Sequence, residues 1–112
     1  MFRAIGRMVV GVSDQDEALA FYRDVLGFAV LHDEDAEGFR YLHMGIPAQP
    51  ETGIWLMPGA AEHDRPLLVL YTDDLGRVRD ELKRRGIETW AETGTSLHFR
   101  DVAGNILVAA KP

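Results

Sequence analysis

The chain contains no cysteine. That absence removes disulfides, thiolate nucleophiles and zinc–thiolate centres together, and it accords with a reducing cytoplasm. No apolar run approaches the roughly 20 residues that a membrane-spanning helix needs. The opening "MFRAIG" lacks the apolar stretch and small-residue cleavage site of a secretory signal. The expectation is a cytoplasmic protein with no membrane partner. Positive charge is also short. Twelve Lys and Arg against 18 Asp and Glu leave a net charge of −6, which argues against nucleic acid, whose recognition needs a basic patch. Serine is scarce, and neither a G-x-S-x-G elbow, a Gly-rich phosphate loop ahead of a helix nor a His-Glu-x-x-His pair occurs.

What is present suffices for one ordinary domain: 112 residues, 46% of them hydrophobic, enough for a real core. "RAIGRMVVGVSD" reads as a strand ending at a Ser-Asp turn, with Arg7 as an unexpected charge inside it. A helix follows in "SDQDEALAFYRDVLGF". Ser13 or Asp14 is its N-cap, and Glu17 stands three residues after Asp14 in the capping-box position. Ala18, Phe21, Tyr22, Val25 and Leu26 form its apolar stripe, and Gly27 is its stop. "FAVLHD", "GFRYLHMG" and "TGIWLMPG" read as strands; in the second, Phe39, Tyr41 and His43 share one face and Arg40, Leu42 and Met44 the other. The order then repeats. "PLLVLYTDD" is a strand, and "DLGRVRDELKRRG" a helix capped by Asp74, striped by Leu75, Val78 and Leu82 and stopped by Gly86. "IETWAE", "TSLHFRD" and "NILVAA" are three further strands.

The repeat shows in the offsets. Asp14 matches Asp74 and Val12 matches Thr72 at an offset of 60, Gly27 matches Gly86, and "YLHMG" echoes "SLHFR" at His43 and His98. Two β-α-β-β-β modules, about 1–59 and about 66–112, are therefore expected within a single α+β domain. Paired modules can form a curved mixed sheet around a cleft with the helices outside, since either module alone leaves an uncovered sheet face and open edges.

"VSDQDEALAFYRDVLGF" together with "DVAGN" resembles the vicinal oxygen chelate superfamily, which holds glyoxalase I, bleomycin-resistance proteins, fosfomycin-resistance enzymes and extradiol dioxygenases. The resemblance spans essentially the whole chain. It departs at Val102 and Ala103 from the usual Asp-Pro-Asp-Gly-Asn form. It implies paired modules with a ligand cleft, and homodimerisation, without fixing the chemistry.

Enzymes of that superfamily usually hold a divalent metal through His, Glu or Gln on the first and last strands of each module. Carried over by spacing, those places fall at Arg7, at Leu67, at or beside Trp55 and at or beside Val108. None is a metal ligand, and neither are the neighbours Ile54, Leu56, Leu107 and Ala109. The resemblance therefore implies no metal cofactor here. Arg7 then has two readings. Either it grips an anionic or carbonyl oxygen in place of the cation, or it pairs with a carboxylate such as Glu51 or Glu92 or reaches to water.

The other candidate ligand-binding residues are Tyr41, His43, Trp55, Met57, Leu67, His98 and Val108. Trp55 and Met57 would form an apolar wall, Tyr41 would add a hydroxyl, and His43 and His98 would serve as polar groups suited to neutral pH. His32 and His63 read as solvated loop residues, and Gly104-Asn105 as a tight turn. Three functions are open on these residues: a metal-independent small-molecule-binding protein; a lyase, isomerase or dioxygenase, using displaced metal ligands or Arg7 with a histidine; and a module whose cleft is filled by its own side chains.

Overall fold

A computed structural model describes residues 1–112. The chain folds as two compact units, Met1–Ala61 and Glu62–Pro112. Each repeats β-α-β-β-β and builds a four-stranded mixed sheet.

In the first unit β1 (Arg7–Val12) pairs in parallel with β4 (Gly53–Pro58), which pairs antiparallel with β3 (Phe39–Gly45), which pairs antiparallel with β2 (Ala29–Ala36). The sheet order is β1-β4-β3-β2. β1 begins at Arg7, not earlier, and its outer residues are open: Met8 and Val9 are 42% and 52% exposed. The expectation of a strand with an internal charge is thus corrected, because Arg7 is its first residue.

One face of this sheet is the core. Val10, Val12, Leu42, Met44, Ile54 and Leu56 are buried on it, and the helix packs there. α1 (Gln15–Ala20) starts at Asp14, whose carboxylate accepts from the Glu17 N–H. Gln15 ties it to the sheet by donating to the main-chain oxygens of Arg40 and Leu56. Without a break the helix widens into a π turn over Phe21–Val25 and ends at Gly27 with φ +75°.

The π turn has a sequence cause. Gly27 lies thirteen positions after Asp14, but Gly86 only twelve after Asp74. The first helix carries one residue more between matching cap and stop, and a wider turn absorbs it. The closing bonds show the same step. Phe28 N–H reaches the carbonyl of Tyr22 six residues back, whereas Ile87 N–H reaches Leu82 five back.

In the second unit the sheet order is β5-β8-β7-β6. β5 is Pro66–Tyr71, β6 Thr89–Trp90, β7 Ser96–Arg100 and β8 Ile106–Ala110. α2 (Leu75–Arg84) is capped by Asp74, which accepts from Arg77 N–H, and Gly86 ends it at φ +74°. Leu75 and Leu82 of its stripe are buried, as are Leu97, Phe99, Leu107 and Ala109 of the sheet. The expected strand "IETWAE" shrinks to the two residues of β6, because Ala91 turns to φ +50° and the chain leaves the ladder.

"DVAGN" is a structural turn. One oxygen of Asp101 accepts the N–H groups of Ala103, Gly104 and Asn105, while the Asn105 amide donates to the other oxygen. Asn105 in turn accepts from Glu62 N–H. Gly104 adopts φ +103° and Asn105 does not take a positive φ, so only the glycine supplies the left-handed residue expected of the pair. No helix is long and apolar enough to cross a membrane.

Candidate functional site

The face of the first sheet opposite α1 is aromatic and polar. Strand alternation puts Phe39, Tyr41 and His43 on it, and the β3–β4 register sets Trp55 directly beside His43. The rings form a continuous wall. Phe39 and Tyr41 have centroids 4.9 Å apart, Tyr41 and Trp55 5.7 Å at a shallow 31°, and Trp55 and His43 5.4 Å. Met57, two residues along β4, shares the face and is half-buried.

Arg7 enters from β1. Its register partner is Gly53, two residues before Trp55, so its side chain emerges on the same face. The guanidinium Nε donates to Nδ1 of His43 at 3.2 Å, and Nη1 donates to the main-chain oxygens of Gly6 and Glu51 at 2.8 and 3.2 Å. Arg7 forms no ion pair. It meets the peptide oxygen of Glu51, not its carboxylate, and Glu92 is held by Arg79 at 2.7 Å. Of the two carboxylate partners expected, neither is used.

This bond fixes the chemistry of His43. Nε of arginine is always a donor, so Nδ1 must be the acceptor and the ring proton sits on Nε2. Burial, then the positive charge of Arg7, then His32, hold the His43 pKa below the usual imidazole value. The ring is therefore neutral at neutral pH. Its Nε2–H and the indole Nε1–H of Trp55 are both closed off from solvent and meet no acceptor in the protein. Each unmade bond of this kind costs about 1–3 kcal/mol.

His32 also belongs here: it lies on β2 and not in the expected loop, though it stays exposed as expected. Leu31 is a bulge: the ladder pairs Val30 with Met44 and then His32 with His43. The extra residue turns His32 onto the aromatic face, where its ring lies 5.5 Å from His43 and its Nε2 lies 3.2 Å from Glu34. Leu31 in turn lies over Gly45 and Gly53, where a Cβ would meet its Cδ1 at 2.8 Å. A cluster of aromatic residues alternating along "FRYLH" was the signal for Phe39. No sequence signal announced His32, because a bulge shifts the parity on which such readings rest.

The remaining candidates lie in the second unit. His98 and Val108 are register partners, and His98 pairs with Trp90, whose ring is 5.8 Å away. The Arg100 guanidinium stands 5.3 Å from the Trp90 ring centre. Nδ1 of His98 is buried without a partner. A groove of about 340 Å³ lined by Ile87, Glu88, Trp90 and Arg100 lies beside it. Leu67 falls at the irregularity of β5 between Pro66 and Leu68 and is half-buried.

The four places that the resemblance assigns to metal ligands carry a guanidinium, an indole and two aliphatic chains, none with a lone pair to give. Within neither unit do three His, Asp or Glu side chains gather in a group able to hold an ion. These residues do not fit the metal.

Known proteins place this geometry in a family. The sequence pattern of the Glyoxalase/Bleomycin resistance protein/Dioxygenase superfamily matches residues 4–107. The uncharacterised protein YetH of Bacillus subtilis (strain 168) is 26% identical over 117 residues, covering 96% of this chain and 98% of that protein. Among solved structures, TnmS3, an antibiotic binding protein from Streptomyces sp. CB03234, is 25% identical with a TM-score of 0.85, covering 99% of this chain and 97% of that one. UcmS2 is 25% identical with a TM-score of 0.83, covering both chains in full. The chain belongs to the glyoxalase/bleomycin resistance protein/dioxygenase superfamily.

Proposed function

We propose that this protein binds a small molecule on the aromatic face of its first sheet, without a divalent metal and without transforming the ligand. The observation that carries the reading is the Arg7–His43–Trp55–Tyr41 constellation, an aromatic wall with a few fixed polar groups. The likeness to TnmS3, an antibiotic binding protein, supports the same class of role. Within the second unit, Leu67, His98 and Val108 are proposed as ligand-binding residues of that unit's own sheet.

Binding is favoured over catalysis by the state of His43. A general base needs a free lone pair within reach of the proton it takes. The lone pair of His43 is occupied by the Arg7 Nε–H, and its other nitrogen already bears hydrogen. Nor does the donor set offer a metal in place of that base.

The test is isothermal titration of protein purified without a metal-affinity tag, against antibiotics and aromatic metabolites, with and without EDTA. Micromolar binding, unaffected by chelator and leaving the ligand chemically unchanged, is the expected result. Stoichiometric metal in elemental analysis, or turnover of a bound compound, overturns it.

We further infer a cytoplasmic homodimer. Val9 on the edge strand β1, and Val69 and Tyr71 on the edge strand β5, are 52%, 58% and 70% exposed. Apolar side chains on open edges favour pairing with a second copy. Light scattering at micromolar concentration reads the mass; a monomer refutes this part alone.

A further inference from the structure

The aromatic face has a property that small-molecule binding alone does not require. The two buried polar groups at its centre, on His43 and Trp55, are both donors, while the Tyr41 hydroxyl and the exposed Glu34 carboxylate lie further along the face. His43 presents Nε2–H, since its Nδ1 is taken by Arg7. Trp55 presents Nε1–H, and indole has no acceptor. Both hydrogens are shut off from water and meet no acceptor in the protein. Arg7 adds a permanent positive charge. Arg23, Arg40, Arg65, Arg79, Arg84 and Arg85 each have a carboxylate within ion-pair distance, whereas Arg7 is half-buried with none, in a chain whose net charge is −6.

Donors without acceptors, a cation without a counterion and a wall of rings describe one kind of guest. Resting on the reading of this face as the binding site, we propose that its ligand is a flat aromatic carboxylate. The ring lies against Trp55 and Tyr41, whose own planes are 31° apart. The carboxylate oxygens take the N–H groups of His43 and Trp55 and sit in the field of Arg7. A carboxylate is acceptor-only when ionised, and bonds from a charged or polar donor to it are stronger than neutral pairs. An amine in the same place would set donor against donor at His43 and Trp55 and cation against cation at Arg7, so it binds there more weakly.

The test uses three ligands with one ring system: 2-naphthoate, 2-naphthamide and 2-naphthylmethylamine at pH 7.5, titrated calorimetrically. The naphthoate is expected to bind at least tenfold tighter than the amide, with the amine weakest. On naphthoate addition the Trp55 indole N–H resonance is expected to move downfield, as for a newly formed hydrogen bond to an anion. Trp55→Phe keeps a ring and removes the N–H, and it should narrow the gap between acid and amine while leaving amide binding within threefold. Arg7→Met should bring the acid to the level of the amide. The indole shift in the unaltered protein reads the same contact should either variant fail to fold.

If acid and amine bind equally, with Trp55 resonances perturbed by both, the charge and donor argument is overturned while the binding face stands. If the indole N–H is unmoved by bound naphthoate, that hydrogen is satisfied by a neighbouring ring face and the proposal fails. If none of the three binds and the wider ligand panel also leaves the face unperturbed, the binding reading falls with it.

Discussion

Arg7 Nε donates to His43 Nδ1 across 36 residues of sequence at 3.2 Å, joining the first residue of β1 to the middle of β3. β4 lies between those two strands. The bond therefore reaches over it near Gly53, the register partner of Arg7, which carries no side chain of its own. It sets the tautomer of His43, and the chemistry of the face follows from that.

The first prediction concerns His43 itself. Its folded pKa lies below the ordinary value near 6.5, chiefly from burial and then from Arg7. The His43 Cε1–H shift followed by NMR should show the imidazole titrating below its ordinary value. Arg7→Met should raise that pKa, since it removes a positive neighbour.

The same shift makes stability depend on pH. With the folded pKa depressed, the unfolded chain takes up the proton first as pH falls. The His43 contribution is intact above pH 6.5 and is lost as pH drops through that value toward the folded pKa. Urea midpoints between pH 8 and 5 should fall more steeply for the wild type than for His43→Gln. Parallel curves would refute the assignment.

Glu81 is shifted in the same direction by a different cause, partners that favour its charged form. Its hydrogen bonds to Arg84 and then Arg85 hold its carboxyl down at about 2. Side-chain carbon titration should find it well below the ordinary glutamate value, and Arg84→Gln should move it upward. The group is open to solvent on one side, so salt should move it too. Its effect on stability is present above the unfolded value near 4.5 and disappears as pH falls toward 2.

Gly53→Ala should destabilise the first unit by about 1–3 kcal/mol, because the added methyl meets the carbonyl oxygen of Met44 and the Cδ1 of Leu31. Backbone oxygen in a sheet ladder has little room to yield. Gly94→Ala, with nothing within 4 Å of the added carbon, is the control. Equal urea midpoints for the two variants would contradict the packing described.

Asp101→Ala should cost about 2–4 kcal/mol. One carboxylate oxygen satisfies three consecutive N–H groups, and the other holds the Asn105 amide that positions Glu62; unmade bonds at buried groups cost about 1–3 kcal/mol each. Asp101→Asn retains an acceptor and should lose less. Equilibrium denaturation of the two variants decides it.

The elements of this fold were legible because their signals are local. Asp14 and Asp74 cap helices whose stripes repeat at three and four residues, and Gly27 and Gly86 end them in a conformation that glycine tolerates. The alternation in "FRYLHM" put Phe39, Tyr41 and His43 on one face because a strand has a period of two. The family, too, lay in short motifs of adjacent residues. Such patterns need no knowledge of what the chain folds against.

The partners of Arg7 and His32 were not legible. Sequence offered Glu51 or Glu92 for Arg7, and the tertiary structure chose His43, because only strand order and register decide which side chains cross a sheet. A single extra residue at Leu31 reversed the parity of β2 and carried His32 to the aromatic face. Composition and periodicity fixed how each segment folds; which nitrogen bears a proton on that face was decided by residues brought together from distant parts of the chain, where hydrogen-bond direction depends on placement and not on order.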